Sequence, residues 1–150
     1  MRYTIPVVLA LASSVSAVGN AVVKNKCSFP FYVWSVGASV GARQTVNANG
    51  GNYSEVLHSD ATTGGISLKI TLANDGLYTG APEQIISYTL DGAQVWYDLS
   101  TVFGEPFNGK HITVTSKDGP TIDWPTGSHP AGSQVRVSSS GNDVVFTACA

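Results

Sequence analysis

Charge is what this sequence has least of. Asp, Glu, Lys and Arg make up 12% of its 150 residues, against roughly 25% in ordinary globular chains, which argues against charge-driven disorder. Lys and Arg number 8 against 10 Asp and Glu, and no basic run exists, so the electrostatic footprint of a nucleic-acid binder is missing. Long apolar runs are missing too. The single one, Ile5 to Ala12, falls well short of the roughly 20 residues that span a bilayer, and the C-terminus lacks the apolar tail of a glycolipid anchor. With only 2 cysteines the chain is no disulfide-dense miniature scaffold. The histidines His58, His111 and His129 lack the close spacing that places two imidazoles on one ion, so no metal site and no cofactor are expected. No stretch of 11 residues carries a helical apolar stripe free of Gly or Pro, so almost no helix is expected. The length leaves room for one domain.

What is present begins with an address. Arg2 precedes the apolar run, and Ser13 to Ala17 is small and polar, the pattern of a secretory signal peptide. Val15 and Ala17 suit the two signal-peptidase pockets, so residues 1–17 are expected to be removed, leaving 18–150 as a single domain. Val18 would then head the mature chain, which excludes an oxygenase that binds copper through an N-terminal histidine. In an oxidising compartment Cys27 and Cys149 should pair and staple the two ends of the domain. Asn52-Tyr53-Ser54 is a glycosylation sequon, placed by its turn-rich surroundings on an exposed loop.

From Ala21 onward the chain alternates with period two in short β-branched and aromatic runs: Phe31 to Trp34, Ile66 to Leu72, Ile85 to Leu90, His111 to Thr115, Gln134 to Val137. Turn signals such as Asn49-Gly50-Gly51, Asp91-Gly92 and Asp118-Gly119-Pro120 separate them. The fold class is all-β, an antiparallel sandwich of about ten strands, with Asp91-Gly92 turning a tight hairpin.

Two chemical motifs fail on context. Gly37-Ala38-Ser39-Val40-Gly41 matches a nucleophile elbow but is followed by alternating polar residues instead of a helix, so it reads as a turn between strands. Gly104 to His111 mimics a phosphate loop but puts His111 where a magnesium-ligating hydroxyl belongs. Glycoside hydrolysis needs two carboxylates about 5 to 10 Å apart, for which Asp91, Asp98, Glu105 and Asp123 are candidates. Asp98 sits among Trp96 and Tyr97, and Asp123 beside Trp124. These aromatics form either a sugar-stacking platform or part of the core.

Val23-Lys24-Asn25-Lys26-Cys27, then Phe31-Tyr32-Val33-Trp34 and Gly41 to Gln44, resembles the opening of thaumatin-like proteins. Ser87-Tyr88-Thr89-Leu90 and Trp96-Tyr97-Asp98-Leu99-Ser100 are similar to that family's central Glu-Phe-Thr-Leu and Phe-Tyr-Asp-Val-Ser segments. A small secreted chain with two cysteines looks most like the fungal branch known as the Blastomyces yeast-phase-specific protein family. The resemblance implies a thaumatin-like β-sandwich whose first cysteine bonds one at the extreme C-terminus, in agreement with the pairing inferred above. It also implies a cleft that binds β-1,3-glucan in larger relatives, where it goes with weak glucanase and antifungal action. Carried over by position, Asp98 matches a cleft aspartate and Arg43 the cleft arginine, while Ser87 and Phe103 stand where the family has a glutamate and a second aspartate. Losing that glutamate removes the proton donor for the leaving oxygen. The expectation is therefore a monomeric, non-enzymatic binding protein, with Arg43, Trp96, Tyr97, Asp98 and Trp124 as glycan-contact candidates. Its expected partner is a cell-wall polysaccharide such as β-glucan, or a host protein, with roles in morphogenesis, virulence or host interaction. The alternatives are weak β-1,3-glucan hydrolysis through Asp98 and Glu105, or an antimicrobial or effector action on another organism.

Overall fold

Alternation in the sequence becomes alternation in space. In β1 (Asn20–Asn25) Ala21, Val23 and Asn25 turn inward, and in β5 (Ile66–Thr71) Ile66, Leu68 and Ile70 do so while Ser67 and Lys69 face out. The computed structural model describes residues 17–150, so the export segment lies outside the described residues apart from Ala17. The remaining elements are β2 (Phe31–Val36), β3 (Gln44–Val46), β4 (Gly51–Val56), the short α1 (Gly76–Thr79), β6 (Glu83–Asp91), β7 (Gln94–Val102), β8 (Ile112–Ser116), β9 (Ile122–Trp124), β10 (Arg136–Ser139) and β11 (Val144–Ala148).

They form two sheets, ordered β4-β1-β11-β8-β9 and β10-β7-β6-β5-β2-β3. The longest ladder is the β6–β7 hairpin, whose nine residue pairs run from Glu83↔Val102 to Asp91↔Gln94. Gly92 closes it with φ 58°, a left-handed conformation that glycine adopts without steric cost. Among the described residues all strand pairings are antiparallel except one, β1 with β11, which run side by side in the same direction.

The core lies between the sheets. Phe107, from the β7–β8 loop, inserts its ring 5.5 Å from Phe31 and 5.8 Å from Phe146. The two cysteines pair, joining the turn after β1 to the end of β11 with Cα atoms 5.1 Å apart. Asn25 is fully buried and fully used. Its amide donates to the carbonyls of Phe29 (2.8 Å) and Val46 (3.1 Å), and its Oδ1 accepts from Cys27 N (2.9 Å). The Asn-x-Cys motif is thus a turn-building device that sets Cys27 in place for its bond.

Asn52 is exposed but does not lie on a loop. The turn residues end at Gly50, and from Gly51 the chain pairs with β1 as edge strand β4, Asn52 opposite Lys24. Inward-leaning Tyr53 and Glu55 impose that strand alternation. Gly37 to Gly41 forms the bend between β2 and β3, as its context implies, with Val36 bridging Val40.

Candidate functional site

The outer face of the six-stranded sheet carries the chemistry. Cross-strand register places Val36 beside Ser67, Ser67 beside Ser87, and Ser87 beside Asp98, all on one row. Two adjoining hollows follow this row. One, of about 290 Å³, is lined by residues that include Val36, Thr63, Ser67 and Lys69; the other, of about 240 Å³, includes Trp96, Asp98 and Val135. They share Ser87, Tyr88 and Thr89 and so form one trough crossing β2, β5, β6 and β7, three strand spacings or about 14 Å. Ser67 and Ser87 hydroxyls are 3.0 Å apart at its floor.

Trp96 stands at the trough wall, 42% exposed, opposite Thr89 on the neighbouring strand. Asp98 is half-buried there, and its Oδ1 lies out of solvent without a hydrogen-bond partner. Burial raises its pKa, and Ser87 across the ladder, then His129, work against that rise.

Two expected sugar-stacking faces are overturned. Tyr97 is 1% and Trp124 0% exposed. Tyr97 shares its strand face with Val95 and Leu99 and points between the sheets, where its hydroxyl donates to Pro120 O at 2.8 Å. Trp124 points inward with Ile122 and donates from Nε1 to Gln134 Oε1 at 2.9 Å. The parity of the aliphatic neighbours carried this information in both strands. Arg43 is also set apart from Asp98. It precedes β3 at the far edge, four strand spacings or about 19 Å from β7. Its guanidinium lies 5.2 Å from the Tyr32 ring centre and donates to Asn74 O at 2.9 Å.

Sequence reasoning missed Lys69 and Glu83, which face out from β5 and β6 and pair at 3.0 Å, Glu83 almost wholly buried. Their positions opposite the apolar parity of each strand were visible, but their pairing required the β5–β6 register. Trp34 also faces outward, yet it is covered, with the Tyr78 ring of α1 edge-on to it at 6.4 Å.

The remaining candidate carboxylates do not join Asp98. Asp91 is exposed at the β6–β7 hairpin, and Asp123 pairs with His111 on the other sheet at 2.5 Å. Glu105 opens into a separate hollow with Leu72, Ala73, Ala81, Pro82 and Pro106. Ser128 Oγ and His129 N donate to it at 2.7 and 3.0 Å, and these bonds hold its carboxyl below the usual range.

Comparison with known proteins agrees with this architecture. Residues 8–150 match the family of the Blastomyces yeast-phase-specific protein. An antigenic thaumatin-like protein of Arthroderma benhamiae is 32% identical over 100 residues, 67% of this chain and 49% of that protein, so the match spans about half the length of this curated relative. The protein elicitor MoHrip2 of Magnaporthe oryzae superimposes with a TM-score of 0.72 at 24% identity, covering 88% of this chain and 99% of that one. The thaumatin-like xylanase inhibitor TLXI does so with a TM-score of 0.56 at 8% identity, covering 87% and 99%. At those identities the structural likenesses establish the fold alone. By the match over nearly its whole length, the chain belongs to the Blastomyces yeast-phase-specific protein family and has the thaumatin-like fold.

Proposed function

We propose that this protein is a secreted, non-enzymatic binding protein that acts at a cell wall or host surface and takes a neutral polysaccharide of the β-glucan class in the trough of its six-stranded sheet. The observation that carries this reading is the makeup of the trough: hydroxyls of Thr63, Ser67, Ser87 and Thr89 along it, an exposed indole at one end, and Asp98 alone as its carboxylate. Hydroxyls both donate and accept, as sugar hydroxyls do, and an exposed indole offers a flat apolar face to a sugar ring. Hydrolysis would need a second carboxylate across the same cleft, but Glu105 opens elsewhere and Ser87 stands opposite Asp98. The disulfide supports an extracellular setting. So does the description of the Arthroderma relative as antigenic, and none of the three similar proteins is described by a catalytic activity.

The test is a pull-down of the folded chain on insoluble β-1,3-glucan, chitin and cellulose, with reducing sugar assayed in the same tubes. Retention on glucan without sugar release is expected, and Trp96→Ala should weaken it about five- to tenfold, the loss of one stacked aromatic contact. Sugar release that Asp98→Asn abolishes would replace this reading with the hydrolytic one. Failure to bind any polymer would remove the polysaccharide and leave a protein partner.

A further inference from the structure

A second surface lies where β5, β6 and β7 end. Thr71 pairs with Glu83 and Glu83 with Val102, so the residues just beyond these pairs, Leu72, Pro82 and Phe103, stand side by side at the sheet's end. Leu72 is 41% and Phe103 68% exposed. Phe103 has φ 61°, a left-handed conformation that is a genuine outlier for a bulky side chain, and its ring lies in solvent rather than in the core. Gly104 follows with φ 125° and lies so close to Pro82 that an added Cβ would sit 3.1 Å from the proline ring. Below this rim is the hollow of about 280 Å³ lined by Leu72, Ala73, Ala81, Pro82, Glu105 and Pro106. That is slightly under the roughly 300–1,000 Å³ of small-molecule sites and suits a single side chain.

The walls are apolar and the one charge is Glu105. Its two bonds, from Ser128 and His129, leave acceptor capacity on both oxygens and keep it ionised. Among the described residues no lysine or arginine pairs with it. The loop that carries it is fixed by Phe107 in the core, which holds the Glu105 and Pro106 side of the hollow in place. A purely apolar occupant would desolvate the carboxylate and return nothing. A sugar would find no hydroxyl on these walls.

We infer that this hollow receives a lysine or arginine side chain of a partner protein, its aliphatic stem against Leu72, Pro82 and Pro106 and its cationic head at Glu105, with Phe103 as the exposed aromatic of the rim. Long basic side chains present this combination of apolar stem and charged tip, and cations are drawn to aromatic faces. The inference stands apart from the trough and does not depend on what the trough binds.

The test uses the ¹⁵N-labelled chain and capped, otherwise neutral five-residue peptides whose central residue is Arg, citrulline, Lys or norleucine. The Arg and Lys peptides should shift the amide signals of Leu72, Ala73, Ala81 and Glu105 saturably and leave those of Ser87 and Thr89 in place. Each should bind at least tenfold more tightly than its uncharged counterpart. Glu105→Gln should erase that preference, and Leu72→Ala, which touches neither Glu105 bond, should weaken binding several-fold with the spectrum otherwise unchanged. Equal binding of norleucine, a preference that survives Glu105→Gln, shifts at this end only with a glucan oligosaccharide, or no localised shift at tens of millimolar peptide would each overturn the inference.

Discussion

Single carboxylates in this protein are set in opposite directions by what surrounds them. Asp60 accepts backbone N–H bonds from Thr62 and Thr63 at 2.8 Å on Oδ1 and from Ala38 at 3.1 Å on Oδ2. Those bonds, with Thr63 foremost, lower its pKa from 3.8 to about 2. It thereby fastens the bend after β2 to the loop before β5, at one end of the trough. A carboxyl lowered in the folded state contributes stability that is fully present above its unfolded value and is lost as pH falls through the folded one. The contribution of Asp60 should therefore fade between about pH 4 and about pH 2. Asp98 has the opposite sign: raised by burial, it contributes a penalty that grows as pH rises above its unfolded value. Asp60→Asn isolates the first effect. Its urea midpoint should lie below that of the parent at pH 7 and converge with it near pH 2, and a constant gap across that range would show that the lost bonds do not depend on charge. Nearby, Glu55 accepts hydroxyl bonds from Tyr53 and Tyr88, each 2.6 Å, at the open edge of the sandwich. Both phenols are pushed well above their ordinary pKa, chiefly by burial and then by these bonds to Glu55, so neither has the character of a nucleophile.

Elements hold the surfaces in place, and the β7–β8 loop shows how. Phe107 is its anchor: a fully buried ring that meets Phe31 from β2 and Phe146 from β11, one from each sheet. Phe107→Ala should cost about 3–5 kcal/mol, the usual range for emptying such a site. Urea denaturation measures it, and a loss below about 1 kcal/mol would mean that the core refills without the loop. The same substitution should broaden the amide signals of Glu105 and Ser128, because that loop carries Glu105, to which Ser128 donates. Much of the element order was legible in the sequence. Alternation located the cores of β2, β5, β6 and β8, and Asp91-Gly92 located the hairpin turn to within one residue, the loop being Gly92-Ala93 with Asp91 still paired to Gln94. The orientation of Tyr97 and Trp124 was read less well, since adjacent aromatics in Trp96-Tyr97 obscure which parity is buried. Val95 and Leu99 resolve it in favour of Tyr97. The Lys69–Glu83 pair, the Asp98–Ser87 juxtaposition and the separation of Glu105 from Asp98 all depend on register between strands or on loop packing, which local patterns do not encode.

At the scale of the whole molecule, the first and last described strands lie side by side inside one sheet. β1 and β11 are neighbours there, paired in parallel from Ala21↔Val144 to Asn25↔Ala148, with every other described element lying between them in the sequence. The pair cannot form until the two ends of the domain meet, and the entropy of closing so long a loop opposes it. The disulfide bridges the end of that pair across a separation of 122 residues. Its chief action is thus on the unfolded chain, whose ends it keeps together. The chain-entropy argument assigns about 4 to 5 kcal/mol to a loop of this size, and loss of native disulfides in small secreted domains costs about 2–5 kcal/mol. That is a large share of the roughly 5–15 kcal/mol that stabilises an ordinary domain. Cys27→Ala with Cys149→Ala should lower the unfolding free energy by that amount and raise the urea m-value, because the unlinked chain expands further when it unfolds. The trough should be less affected than the termini, since it lies on the other sheet and its β5–β6 and β6–β7 ladders join strands consecutive in sequence. Hydrogen exchange in the double variant separates the two. Faster exchange concentrated in β1 and β11, with β6 and β7 protected to the new global limit, is the expected result. Uniform acceleration across both sheets would instead mean that the sandwich opens as one unit and that the staple guards all of it.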